Sequence, residues 1–344
     1  MDEKPLRLCY TLGFTSCNNN SIAYNSNLQC FTYLTGCSFV LRSLHSRAQT
    51  IFHSMSQRNS LTCIDVSFDG KFVATGESGN NPKVLIYRLE DKIKVLTELD
   101  GHKFSINAVK FSPTNSNYLV SVGCALDQNI LVWNLLTKSK CYSTRMSQAV
   151  NSITFMPSGF CFVTVAIRSI RYFEFNTPST SKSKSTNVTL LNCHNAILNN
   201  YLNFNFVDCA SYLDGDAAFV LALASNGHLF KLDENRNICK QIKLDVQLKK
   251  AYCLSCDQGY SLVGGQNGHV LIDLFNPGIA DSIPNLDNYP AVVGCKLDID
   301  HGYAIGFFSD RRSVFAITSW RLPSNSTQRV VDYLVESGNP SRSN

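Results

Sequence analysis

His102, Ser121 and Asp127 are the residue types of a nucleophilic triad, in which an imidazole takes the hydroxyl proton and a carboxylate orients the ring. Trp133 follows closely, and its indole N–H, a donor only, needs an acceptor once buried. Cys253-Leu254-Ser255-Cys256 has the spacing of half a zinc knuckle. Zinc needs a second ligand pair, and Cys193-His194 and Cys239 are distant and lack matching spacing. Two cysteines three apart on one strand also point to opposite faces. No metal or cofactor is therefore expected. Gly264-Gly265-Gln266-Asn267-Gly268 lacks the Lys-Ser/Thr of a phosphate loop and precedes a strand, so it reads as a tight turn. No H-E-x-x-H, G-x-S-x-G or kinase signature occurs. The paired acids Glu90-Asp91 and Asp233-Glu234 fall in turns and read as solvated.

What positions these residues follows from composition and periodicity. The 344 residues are 44% apolar and only 17% charged, with the polar share carried by Asn, Ser and Thr. That balance excludes wholesale disorder and favours many turns over surface helices. The net charge of +5 is dispersed, without the basic stripe that a nucleic-acid binder needs. No apolar stretch approaches the ~20 residues of a membrane span. Met1-Asp2-Glu3-Lys4-Pro5 is not a secretory signal, so the 14 cysteines are expected as reduced thiols in a cytosolic or nuclear compartment. In that compartment the sequon at Asn187-Val188-Thr189 carries no meaning.

The clearest unit runs over residues 101–134. It reads Gly101-His102, then Ile106-Asn107-Ala108-Val109-Lys110-Phe111-Ser112-Pro113, then Asn117-Tyr118-Leu119-Val120-Ser121-Val122-Gly123, then Asp127-Gln128-Asn129-Ile130-Leu131-Val132-Trp133-Asn134. Three β-rich runs are thus separated by turn residues, and a fourth follows at 140–144. The same grammar recurs more faintly on both sides, giving seven units in 1–335 as a single domain. Many runs, such as Phe72-Val73-Ala74 and Cys161-Phe162-Val163, are apolar on both faces, as in sheets packed between two neighbours. Residues 6–14 or 329–334 supply a ring-closing strand. Residues 177–187, rich in Ser, Thr and Lys, read as a mobile surface insertion, with 188–191 as the outer strand of the fourth unit. Residues 192–203 read as a long connection with room for a short helix, and 336–344 as a disordered tail.

The Gly101-His102 and Trp133-Asn134 marks resemble a WD40 repeat, which implies an all-β, seven-bladed WD40 β-propeller. In such blades His102, Ser121, Asp127 and Trp133 fall at the positions of a structural hydrogen-bond tetrad rather than a catalytic triad. Further motifs run in order: Ala74-Thr75-Gly76-Glu77-Ser78-Gly79, Pro82-Lys83-Val84-Leu85-Ile86-Tyr87, Leu99-Asp100-Gly101-His102-Lys103 and Ile170-Arg171-Tyr172-Phe173. Asp208-Cys209-Ala210, Phe275-Asn276-Pro277 and Tyr289-Pro290 continue the series. Together they resemble the amino-terminal propeller of the mitogen-activated protein kinase-binding protein 1 family.

That resemblance implies a non-catalytic scaffold for the c-Jun N-terminal kinase cascade, cytoplasmic, with one branch at centrosomes and spindle poles. Its implied partners are proteins, with no nucleic acid and no membrane. The alternative is a propeller associated with microtubules or cilia. Family chains continue into a second propeller and a tail that carries kinase docking and self-association, whereas this sequence ends at Asn344. Trp133-Asn134-Leu135-Leu136 lacks the Asp-x-Arg of propellers that serve cullin ligases. Lys182 and Lys184 ahead of Val188 and Leu190 resemble a kinase-docking motif, and Thr177-Pro178 a minimal phosphorylation site. The plainer reading of the same residues is a loop followed by an outer strand.

Overall fold

Strands form where the chain is apolar on both faces. All six residues of Tyr118–Gly123 are buried, as are five of the six in Phe72–Glu77 and in Cys161–Ala166. The computed structural model describes residues 19–44, 49–53, 59–90, 93–175, 189–244, 248, 250–266, 268–275, 278–282, 291–299, 303–309 and 315–321. Blade 1 comprises Ile22–Asn25, Cys30–Thr35, Ser38–Ser43 and Gln49–His53. Blade 2 comprises Leu61–Val66, Phe72–Glu77, Lys83–Arg88 and Lys94–Asp100. Blade 3 holds Ile106–Phe111, Tyr118–Gly123, Asn129–Asn134 and Ser139–Arg145. Blade 4 holds Val150–Phe155, Cys161–Ala166, Ser169–Glu174 and Asn192–Asn195. Blade 5 is built from Phe206–Asp214, Ala217–Ala224, His228–Leu232 and Ile238–Lys243, and blade 6 from Ala251–Asp257, Tyr260–Gly265, Gly268–Asp273 and Gly278–Ser282. A last sheet contains Ala291–Asp298, Tyr303–Ser309 and Phe315–Arg321.

The expected seven blades are thereby corrected to six. Six sheets have four or more strands, and the last has three described strands. A blade needs a fourth strand to cover its outer edge, and both segments expected to supply one, 6–14 and 329–334, lie outside the described residues. A second correction concerns residues 188–191. Thr189–Leu190 pairs in parallel with Tyr142 and Ser143 at the outer edge of blade 3, giving that blade a fifth strand. The outer strand of blade 4 is instead Asn192–Asn195, antiparallel to Arg171–Glu174. The connection that follows contains the short 3-10 turn Asn199–Tyr201.

Within each blade, strands follow chain order from the axis outward and pair antiparallel, the added fifth strand of blade 3 excepted. Inner strands of neighbouring sheets touch one another around the axis, and the last sheet touches blade 1. The core lies in the seams. Val163, Phe206, Val220 and Phe230 pack between blades 4 and 5, and Val120, Phe155, Phe162 and Phe173 between blades 3 and 4.

A bulge recurs near the start of the inner strand. Thr62, Asn107, Asn151, Val207 and Tyr252, each the second residue, and Val293, the third, are skipped by the pairing register. A bulge leaves its residue outside the ladder and re-aims its side chain. Three of these side chains reach the next blade. Thr62 Oγ1 donates to the Ile106 carbonyl, Asn107 Nδ2 to the Val150 carbonyl at 2.8 Å, and Asn151 Nδ2 to the Phe206 carbonyl at 2.6 Å. Each acceptor opens the inner strand of the following blade.

Valine already occupies this position in blade 5, so Asn151→Val keeps the backbone and removes only the stitch. It is expected to lower the unfolding free energy by about 1–2 kcal/mol. The check is the urea midpoint at unchanged slope, and an unmoved midpoint refutes the role.

Candidate functional site

His102 lies in the connection from blade 2 into blade 3, Ser121 on the second strand of blade 3, Asp127 in the turn after it and Trp133 on the third strand. The structure brings all four together. Trp133 Nε1 donates to Ser121 Oγ at 2.8 Å, and Ser121 Oγ lies 2.7 Å from His102 Nε2. His102 Nδ1 lies 2.5 Å from Asp127 Oδ2. The other carboxylate oxygen accepts the Lys103 N–H at 2.9 Å and Asn129 Nδ2 at 3.2 Å. The indole can only donate, so every proton has one direction: indole to hydroxyl, hydroxyl to Nε2, and Nδ1–H to carboxylate. A Cβ at Gly123 would collide with the Asp127 carboxylate, so glycine gives that carboxylate its seat. Ser121 is fully buried, and its oxygen already accepts the indole N–H. The hydroxyl therefore has no approach for an acyl group, although the Ser–His–Asp contacts match those of a triad.

Burial drives the His102 imidazole below its ordinary value, against the raising pull of Asp127. Burial also opposes ionisation of Asp127. The His102, Lys103 and Asn129 hydrogen bonds outweigh that effect and hold its carboxyl below the usual range. Both groups therefore bind fewer protons folded than unfolded.

The remaining sequence-derived candidates do not join this cluster. Thr177, Lys182, Lys184 and Val188 lie outside the described residues. Leu190 pairs its backbone with Ser143 on the rim of blade 3. Cys253 and Cys256 share the strand Ala251–Asp257 but face different seams. Cys253 packs with Val292 and Cys295, and Cys256 packs against the cluster of Leu254 and Tyr212. Burial pushes both thiols well up, which keeps them protonated.

A second polar constellation lies on the axis. The 3-10 turn Asn19–Ser21, just before blade 1, sits inside the ring. Asn19 Nδ2 donates to Asp208 Oδ2 at 2.8 Å and to the Leu254 carbonyl at 2.9 Å. Its Oδ1 accepts the Cys295 N–H at 3.2 Å and Lys296 Nζ at 3.3 Å. All four hydrogen-bonding positions of one amide are thereby used. Asn20 Nδ2 reaches the Asn107 and Asn151 carbonyls at 3.3 and 3.4 Å, and Ser21 Oγ the Thr62 carbonyl at 3.5 Å. Those three carbonyls belong to bulged residues.

The space beside this turn encloses about 230 Å³ and carries four charged side chains. Lys110 Nζ pairs with Asp65 Oδ1 at 2.8 Å. Burial works against the Lys110 charge, but the adjacent carboxylate outweighs it and raises the ammonium above its ordinary value. Burial holds the Asp208 carboxyl above the carboxylate range and the Lys296 ammonium below the lysine range. Sequence reasoning missed this set. The available signal was a charged residue within each of four largely apolar inner strands: Asp65, Lys110, Asp208 and Lys296.

Two outcomes test the cluster around His102. His102→Ala or Asp127→Ala is expected to cost about 1–3 kcal/mol of stability, because each leaves a buried partner unsatisfied. Protons favour the unfolded state at both groups: the His102 contribution is present above about pH 6.5 and fades as the pH falls below it, whereas that of Asp127 fades only below about pH 4. The parent melting temperature should drop more steeply between pH 7.5 and 5 than that of His102→Gln, as read by calorimetry. Parallel curves contradict the assignment.

Residues 93–134 match the family described as WD domain, G-beta repeat. The chain is 30% identical over 303 residues to mouse WD repeat-containing protein 62, covering 88% of this chain and 19% of that protein. It is 31% identical over 275 residues to mouse mitogen-activated protein kinase-binding protein 1, covering 77% of this chain and 17% of that protein. Against mouse cilia- and flagella-associated protein 52 it is 26% identical over 187 residues, covering 52% of this chain and 30% of that protein. The chain therefore spans less than a third of the length of each of these relatives. The radial meanders around one axis, the four residues joined in blade 3 and the matched repeat make this chain an all-β WD40 β-propeller.

Proposed function

We propose that this propeller is a non-catalytic protein-interaction scaffold of the mitogen-activated protein kinase cascade, with c-Jun N-terminal kinase as its partner. The observation that carries the reading is the 31% identity, over 77% of the chain, to a protein named for binding a mitogen-activated protein kinase. The geometry of blade 3 is consistent with it, since the Ser121 hydroxyl is enclosed and committed to Trp133 and His102. In this reading the tetrad of His102, Ser121, Asp127 and Trp133 is a structural clamp. The kinase engages the insertion through Lys182, Lys184, Val188 and Leu190, and Thr177 is the residue phosphorylated. The rim strand Thr189–Leu190 fixes the end of that insertion on blade 3. The site of action is cytoplasmic, extending to the centrosome or spindle pole.

The similarity to a cilia- and flagella-associated protein supports a second reading, a propeller bound to microtubules. Co-sedimentation of the chain with taxol-stabilised microtubules in the absence of kinase supports that reading, and its absence removes it.

The kinase reading is tested by titrating the whole chain with c-Jun N-terminal kinase in a calorimeter. Binding is expected, and Lys182→Ala with Lys184→Ala should weaken it at least tenfold. Deletion of 177–187 should abolish it while leaving the melting temperature unchanged. No heat with the intact chain refutes docking in this propeller.

A further inference from the structure

One sector of the ring is nearly without anionic groups. Between Asp127 and Asp208 the sequence holds a single acidic residue, Glu174. Lys138, Lys140, Arg145, Arg168 and Arg171 all fall between Asp127 and that glutamate. The stretch runs from the third strand of blade 3 through blade 4. Among the described residues, none of these five cations makes an ion pair. Arg171 stands at its centre, on the third strand of blade 4, with Thr164 and Asn195 as its cross-strand partners. Its side chain crosses the seam to blade 3, where Nη1 lies 3.6 Å from Met146 Sδ. A thioether is a weak acceptor. Arg171 Nε is enclosed with no acceptor, and the Thr164 hydroxyl opposite is enclosed without a partner as well. A guanidinium has five donors and keeps its charge, so the fold leaves this one unsatisfied.

Arg171 as a whole is only half-buried, so an incoming group can reach it from the open end of the seam. That is the end where the inner strands begin, and two further arginines flank it. Arg145, exposed, directly precedes Met146 at the end of the outer strand of blade 3. Arg168, also exposed, lies in the turn that leads into the strand of Arg171, beside Ile167, itself 52% exposed. Glu174 sits at the far end of that strand. The added strand Thr189–Leu190 covers the edge of blade 3 only as far as Ser143. Among the described residues, no strand pairs with Thr144 and Arg145 on that side. An open strand edge beside unpaired arginines suits an extended polypeptide that carries an anion. Three guanidinium groups with no carboxylate among them suit a dianion better than a single carboxylate.

We propose that the seam between blades 3 and 4 binds a phosphorylated serine or threonine within an extended segment of a partner protein. The phosphoryl group meets Arg171 at the open end of the seam, and Arg145 reaches it from the edge of blade 3. Planar guanidinium groups match phosphate oxygens with paired, charge-assisted hydrogen bonds. The backbone of the segment runs along Thr144 and Arg145, and Ile167 offers it an apolar contact. None of these groups belongs to the insertion at 177–187, and the proposal does not rest on the kinase reading.

The test is selection, on the whole chain, of a peptide library with a fixed phosphoserine or phosphothreonine between random residues. Enriched peptides are then measured by fluorescence polarisation. The same peptides without the phosphoryl group should bind at least tenfold more weakly. Arg145→Gln, at an exposed position, should weaken binding about tenfold, the loss of one charge-assisted contact. Arg171→Gln should weaken it at least as much. It should also leave the melting temperature unchanged or raised, because it removes a charge that the fold leaves unsatisfied. Deleting 177–187 should leave the affinity unchanged, which separates this site from kinase docking. No enriched peptides, equal affinity with and without the phosphoryl group, or affinities indifferent to both substitutions overturns the proposal. Arginine-dependent binding to vesicles containing phosphatidylinositol 4-phosphate, with no phosphopeptide enriched, also overturns it and assigns the arginines to a lipid surface.

Discussion

Each sheet of a propeller ends at the axis on a strand with only one neighbour, and that unpaired edge is the constraint on which the structure depends. Its N–H and C=O groups are partly buried, and a buried backbone group without a partner costs about as much as a lost hydrogen bond. The chain answers with side chains from adjacent blades. Asp65 accepts the Phe111 N–H, Asp208 the Leu254 N–H, and Ser255 the Leu297 N–H. The bulged residues Thr62, Asn107 and Asn151 donate to carbonyls of the next blade. The ring is therefore held at its centre by directional contacts, and in its seams by apolar packing that has no direction of its own.

The buried charges make sense within that scheme. Asp208 and Lys296 are not in direct contact; the Asn19 amide stands between them and turns one end to each. A carboxylate and an ammonium so deep in the molecule are costly unless every remaining position is hydrogen-bonded. The amide supplies part of that satisfaction, and the backbone of blade 6 supplies more. The cluster in blade 3 solves a similar problem farther out. There one imidazole joins the strand centre, through Ser121, to the turn carboxylate of Asp127.

What the sequence made legible was local. Strand positions follow from short apolar runs bounded by turn residues, and the cluster in blade 3 from Gly101-His102 and Trp133 at fixed spacing. What it hid was the choice among distant partners. The Asn19–Ser21 turn precedes the first strand as a few polar residues, and nothing nearby indicates that its partners lie across the axis at Asp208 and Lys296. Thr189–Leu190 is too short for its own pattern to select an edge, so its place on blade 3 rather than blade 4 is decided by tertiary packing. The number of complete blades was overread for a related reason. Three runs of suitable composition in the last unit do not specify which segment, if any, covers the third.

The strand pairing at the rim has a mechanical side. The chain leaves blade 4 after Glu174, adds Thr189–Leu190 to blade 3, and returns to blade 4 at Asn192. Its two anchors therefore stand on different blades, across a seam filled by Phe175 with Tyr118, Tyr142, Phe155 and Phe162. A load applied between those anchors would not peel one hairpin from its edge. It would act on the aromatic seam as a whole, so this polar insertion hangs from a packed row of rings rather than from a single strand edge.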